Sequence, residues 1–172
     1  DKPGFELYRR DGKPLCIIGG RGYYNQSWPI DECIADGITR SAALIALQQR
    51  EPDVAQAPFA IGILHTGLDL DPVKAPVNPS VLLSAGVDYW ACGHIHMRYI
   101  HPGEADPRIA FSGCIQGRDI KETGPRGVQI VTLSESAAPQ LEFIPTASVV
   151  WQRLRVDVSD CATLPEISDL IM

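Results

Sequence analysis

The stretch that decides the fold is Phe59-Ala60-Ile61-Gly62-Ile63-Leu64, running directly into His65-Thr66-Gly67. A continuous apolar run of this length is the pattern of a strand buried on both faces, as strands of a parallel sheet are. The first polar side chain appears only where the strand stops. The same arrangement returns in Val87-Asp88-Tyr89-Trp90-Ala91-Cys92, which passes at once into Gly93-His94-Ile95-His96. Between the two lies a loop from Asp69 to Pro79 carrying Pro72, Pro76 and Pro79. Asn78 is placed to cap a short helix whose first turn begins at Pro79 and which Gly86 ends near Ala85.

Toward the N-terminus, Leu15-Cys16-Ile17-Ile18 reads as a short strand closed by Gly19, Gly20 and Gly22. The segment before it, Asp1 to Lys13, is polar, with a turn signal at Asp11-Gly12. Tyr23 to Asp36 reads as irregular, with Trp28 and Ile30 turned inward. Ser41 to Arg50 is rich in helix formers and is stopped by Pro52. Toward the C-terminus the texture changes to strands and turns: Arg98–His101, Arg108–Phe111, Val128–Leu133, Gln140–Ile144 and Val149–Val158, several alternating as half-exposed antiparallel strands do. Leu164 to Met172 begins a helical pattern, so residues 159–172 read as the start of a following helical or capping segment. Strand, helix, strand, helix, strand and then a β-rich run make an α+β whole.

Composition narrows the function. The chain of 172 residues is 45% hydrophobic and 21% charged, the mix of an ordinary globular domain rather than a disordered or low-complexity chain. Its formal charge of −6 argues against holding nucleic acid by charge alone, but not against reaching phosphates through a metal. No stretch has the roughly 18 apolar residues of a membrane span. Five cysteines without a close Cys-x-x-Cys pair read as reduced thiols, with Cys92 and Cys114 packed near apolar neighbours, and a cytoplasmic location is expected.

Of four histidines, His65, His94 and His96 follow strand ends, where open α/β sheets place their ligands. Spacing alone leaves two readings open: polar residues satisfying loop backbone, or imidazole ligands of a transition metal. The glycine before His94 lets the chain turn and aim two rings at one place. His101 has no such setting and reads as a strand or turn residue.

His65 at a strand end, then Tyr89-Trp90-Ala91-Cys92-Gly93-His94-Ile95-His96, resembles the last two metal motifs of the calcineurin-like metallophosphoesterases. The resemblance continues through Phe111-Ser112-Gly113-Cys114-Ile115-Gln116-Gly117-Arg118 and Lys121-Glu122-Thr123-Gly124-Pro125-Arg126-Gly127, which is similar to the DNA repair exonuclease branch. It implies a two-sheet sandwich flanked by helices, of which residues 1–158 would be the C-terminal part. It also implies two divalent ions, manganese in this branch with zinc or iron as alternatives, which generate a hydroxide that attacks a phosphodiester. His65 and His94 would bind one ion and His96 the other. DNA is the implied substrate and an ATPase subunit the implied partner. Phosphomonoesters and cyclic nucleotides are alternative substrates within the superfamily, and a non-catalytic interaction domain keeping relict histidines is the alternative outside it.

The family's Asp-x-His, Gly-Asp and Gly-Asn-His-Asp motifs do not occur, and no histidine precedes His65. The expectation is therefore an incomplete site, with at most one ion and negligible activity in this chain alone. A chain opening at Asp1 fits a fragment or a processed product. Half a sandwich should also leave an apolar patch, with Val87, Tyr89, Ile109 and Phe111 as its members, covered by a second copy or by a longer protein. Arg118, Lys121 and Arg126 among glycines are candidates for binding a phosphate, against a plain solvated connection between strands. Tyr23, Tyr24 and Trp28 can stack on a base or simply pack. Asp69 and Asp71 can support a ligand histidine or form a charged loop tip.

Overall fold

A computed structural model describes residues 2–22, 28–29 and 31–172. Ile30, expected inward, lies outside them. The centre is a six-stranded sheet in the order β1-β2-β3-β4-β6-β5. It is built from β1 (Gly4–Arg10), β2 (Lys13–Arg21), β3 (Phe59–His65), β4 (Tyr89–Gly93), β5 (Tyr99–Gly103) and β6 (Asp106–Phe111). Strands β2, β3, β4 and β6 run parallel, and β1 and β5 are antiparallel edges. A two-stranded antiparallel sheet of β7 (Gly127–Ser134) and β8 (Ala137–Pro145) follows. The fold is thus mixed α/β. Antiparallel pairs do occupy the C-terminal half as expected, yet β6 joins the parallel core.

Helix α1 (Arg40–Leu47) begins at Thr39, whose hydroxyl accepts from Ala42 N at 3.0 Å. Its buried Ala43 and Leu47 lie on Ile17 and Ala60 of β2 and β3. The short α2 (Pro79–Leu83) has the expected cap, Asn78 accepting from Ser80 N. The larger core gathers Ile34, Leu64, Leu68, Leu82, Trp90, Ile109 and Phe111. Trp90 is its keystone: the indole is 1% exposed and donates to Leu82 O at 3.0 Å. It lies across Gly62, where a Cβ would stand 2.2 Å from the ring. The glycine inside β3 therefore exists to admit the indole of β4.

Strand β3 is buried on one face only, through Ala60, Gly62 and Leu64, while Ile63 on the other face is half exposed, because no layer covers that side of the sheet as closely. Three further expectations need correction. The polar Gly4–Arg10 segment is a strand, turned back on β2 at the expected Asp11-Gly12 turn. Only one of its faces is even half-buried, so its pattern is muted; Arg9 ties it down through Asp53 and Glu51. Val149–Val158 is not a strand, because it finds no neighbour to pair with beyond one bridge between Trp151 and Thr123. Val87, Tyr89, Ile109 and Phe111 are not an open patch, for all four are buried, and Val87, Ile109 and Phe111 belong to the main core. The less covered apolar side is elsewhere. Ile63 and Tyr8 are about half exposed, and Ile18 and Ile61 line a cleft of about 580 Å³ with Val131 and Leu133 of β7.

Helix α3 (Leu164–Ile171) forms in the expected place, with a capping box between Thr163 and Glu166, and buries no residue. The five cysteines are unpaired, Cys92 buried and Cys114 half-buried. Among the described residues no helix is long and apolar enough to cross a membrane.

Candidate functional site

The parallel register sets His65 of β3 beside Gly93 of β4, so two histidine-bearing strand ends open at the same edge of the sheet. The rings of His65 and His94 are 5.2 Å apart between centroids and inclined at 63°. His65 is held below the ordinary imidazole pKa by desolvation, reinforced by His94, His96 and Lys74. His96 thus stands within electrostatic reach of His65. A neutral imidazole is the form that can donate a lone pair to a metal.

His94 adopts φ 108°, a region an L-residue with a bulky side chain rarely enters. Strain of this kind persists only when neighbours over-determine it. The flexibility expected of Gly93 is therefore not the whole device: the sharp turn falls on the histidine itself. A carboxylate holds its ring in place, Asp71 Oδ2 lying 2.9 Å from His94 Nε2.

Asp71 comes from the loop after β3, which folds back tightly. Buried Thr66 accepts from Leu68 N at 2.9 Å and donates to Ala75 O at 2.6 Å. Gly67 lets Asp71 approach, since a Cβ there would meet Asp71 O at 2.2 Å. Asp71 also accepts from Val73 N at 2.8 Å, and its carboxyl is held below the usual range, first by His94. The supporting role expected of Asp71 has a direct contact behind it.

His96 has a carboxylate partner that its sequence neighbourhood does not announce. Glu122 Oε1 lies 2.6 Å from His96 Nδ1, while Glu122 Oε2 accepts from Arg118 N at 2.7 Å. These bonds pull the Glu122 carboxyl down to about 2, the His96 contact first. Cys114 completes a trio with them: its sulfur and ligand atoms of His96 and Glu122 all lie within 4.8 Å of one another. The Lys121-Glu122-Thr123-Gly124 run was legible as part of a resemblance, but only folding reveals that Glu122 reaches His96.

Arg126 is buried and serves as a clamp, its guanidinium donating to the carbonyls of Glu122, Thr123 and His96. Its donors go to the backbone of the two loops that meet there. Arg118 and Lys121 are exposed on the same loop. Trp28 is half-buried against the core and donates to Glu32 O, with Arg21 over its ring. Tyr23 and Tyr24 lie outside the described residues.

Over 118 residues, 67% of its length, the chain is 33% identical to a Bacillus subtilis (strain 168) protein described as the uncharacterized metallophosphoesterase YhaO. This chain is similar to a metallophosphoesterase. The match supports a likeness to that superfamily over those residues. The chain spans 28% of that relative's length. No family model matches the chain. The donor set suits such a metallophosphoesterase: imidazoles at two adjacent strand ends, two of them gripped by carboxylates, the arrangement in which metal-binding histidines are commonly found.

Proposed function

We propose that this chain carries the histidine part of a two-ion phosphodiesterase centre acting on DNA in the manner of an exonuclease. The observation that supports it is the pairing of His65 with His94 at neighbouring strand ends, His96 following within the same loop. His65 and His94 would hold one ion and His96 contribute to the other, with manganese the ion the resemblance implies and zinc or iron, which imidazoles also suit, the alternatives. When bound, such ions polarise a phosphoryl oxygen and lower the pKa of a bound water.

The chain's own residues do the rest. Asp71 and Glu122 fix the two imidazoles of His94 and His96. Arg118 and Lys121, exposed beside Glu122, meet the phosphate, while Arg126 holds their loop against His96. Three histidines without the bridging aspartate hold one ion at most, so turnover by this chain alone is negligible. An ATPase subunit is the expected partner of the whole protein, and self-pairing the expected alternative.

The experiment compares hydrolysis of a chromogenic phosphodiester and of linear double-stranded DNA, with and without manganese. It sets the 172-residue chain beside a longer protein that also supplies Asp-x-His and Gly-Asn-His-Asp. Manganese-dependent turnover by the longer protein only, abolished by His94→Ala, is expected. Equal turnover by the short chain would overturn the incomplete-site reading. Activity of the longer protein that survives His94→Ala would overturn the site itself.

A further inference from the structure

Resting on that reading and deepening it, we infer that Glu122 and Asp71 are positioning residues that lock His96 and His94 in opposite tautomers, so that each presents a different ring nitrogen to metal. The reasoning starts from proton inventory. An ionised carboxylate only accepts hydrogen bonds, and neutral imidazole carries a single N–H. At neutral pH a carboxylate is ionised. The nitrogen facing it must then carry the proton. His94 meets Asp71 through Nε2, so its bare lone pair is on Nδ1. His96 meets Glu122 through Nδ1, so its bare lone pair is on Nε2.

The two cases differ in what would happen without the carboxylate. In water a histidine favours the Nε2–H form, which His94 already has. His96 is held in the less favoured form, so its tautomer depends on Glu122. His96 is also the more exposed of the two, 59% for the side chain against 21% for His94. Water competes for its ring nitrogens, and orientation must come from the partner.

Glu122 is built for the task. Its side chain is 19% exposed, Arg118 N fixes the second carboxylate oxygen, and Arg126 bonds both its carbonyl and that of His96. The Glu122 side chain is thereby set by Arg118 and the backbone of the pair by Arg126. The competing arrangement is a single ion seated among His96, Cys114 Sγ and a Glu122 oxygen, in which Glu122 is a ligand and not a positioning residue.

Long-range proton–nitrogen NMR of the imidazoles in the metal-free chain, at a pH where they are neutral, reads the tautomers directly. His96 is expected as Nδ1–H and His94 as Nε2–H. Glu122→Ala is expected to switch His96 to Nε2–H. Unchanged backbone amide shifts of the main sheet in Glu122→Ala separate this role from general folding. Manganese affinity, measured by calorimetry, should fall about 10- to 100-fold in Glu122→Ala. Nε2–H at His96 in the unsubstituted chain, or no change in Glu122→Ala, overturns the inference. So does loss of the His96 Nδ1–H proton on adding diamagnetic zinc, with Cys114 then protected from a thiol reagent, because it places the ion on Nδ1. Opposite tautomers with no response of the histidines to manganese would uphold the inference and remove the metal-dependent reading.

Discussion

Gly62→Ala places one methyl group where the Trp90 indole lies, and its effect follows from distances. The added Cβ would stand 2.2 Å from one indole carbon and 2.3 Å from the next, so the ring must retreat by roughly an ångström to reach ordinary contact. It has little freedom to do so, because it is 1% exposed and its Nε1 is bonded to Leu82 O. Forced overpacking of this kind costs about 1–3 kcal/mol, and the immobility of the ring argues for the upper end. Replacing glycine also restricts the unfolded chain, offsetting about 0.4–1 kcal/mol. The net loss is about 2 kcal/mol, a large part of a typical domain's stability. With a urea slope near 2 kcal/mol/M, the midpoint should fall by about 1 M. Equilibrium urea unfolding followed by tryptophan emission measures it. Because Trp90 lies in β4, which leads into Gly93 and His94, manganese affinity should fall as well. A midpoint equal to or above that of the unsubstituted chain would refute the placement of the indole across Gly62.

Removing the strained residue separates stability from function: His94→Gly should melt about 3–6 °C above His94→Ala, the relief of about 1–2 kcal/mol at φ 108°, while both lose metal affinity. At pH 8 a chromogenic disulfide reagent should modify Cys33, Cys114 and Cys161 in the folded chain, with Cys16 and Cys92 following only on unfolding. Burial pushes those two thiols up to about 11 and about 12, respectively. Asp53 is held below its ordinary value of 3.8 by Arg9, so its contribution to stability is present above that pH and lost as the pH falls below it. Asp53→Asn should therefore lower the thermal midpoint at pH 7, and the difference from the unsubstituted chain should shrink as the pH falls below 3.8.

Phe59–Leu64 is legible as a strand ending at His65, but not as one buried on both faces: Ala60, Gly62 and Leu64 are buried, whereas Phe59 and Ile61 are half-buried and Ile63 is half exposed. Helix signals at Asn78-Pro79 are local and survive folding unchanged. Strand β1 was hidden because an edge strand that is only half-buried on one face, with Glu6, Tyr8 and Arg10 on the other, carries no strong alternation. The Val149–Val158 pattern failed for the opposite reason, since alternation cannot make a strand without a partner. Gly62 read as a neutral member of an apolar run until Trp90 was seen across it. Asp71 could be suspected from its closeness to His65, but Glu122 reaches His96 through a loop whose course depends on buried Arg126.

Paramagnetic broadening tests the histidine centre most directly. Substoichiometric manganese added to the 172-residue chain should broaden the imidazole resonances of His65, His94 and His96 before any other side chain, and leave His101 sharp. Broadening confined to surface carboxylates such as Asp157 and Asp160, with those three imidazoles untouched, would contradict it.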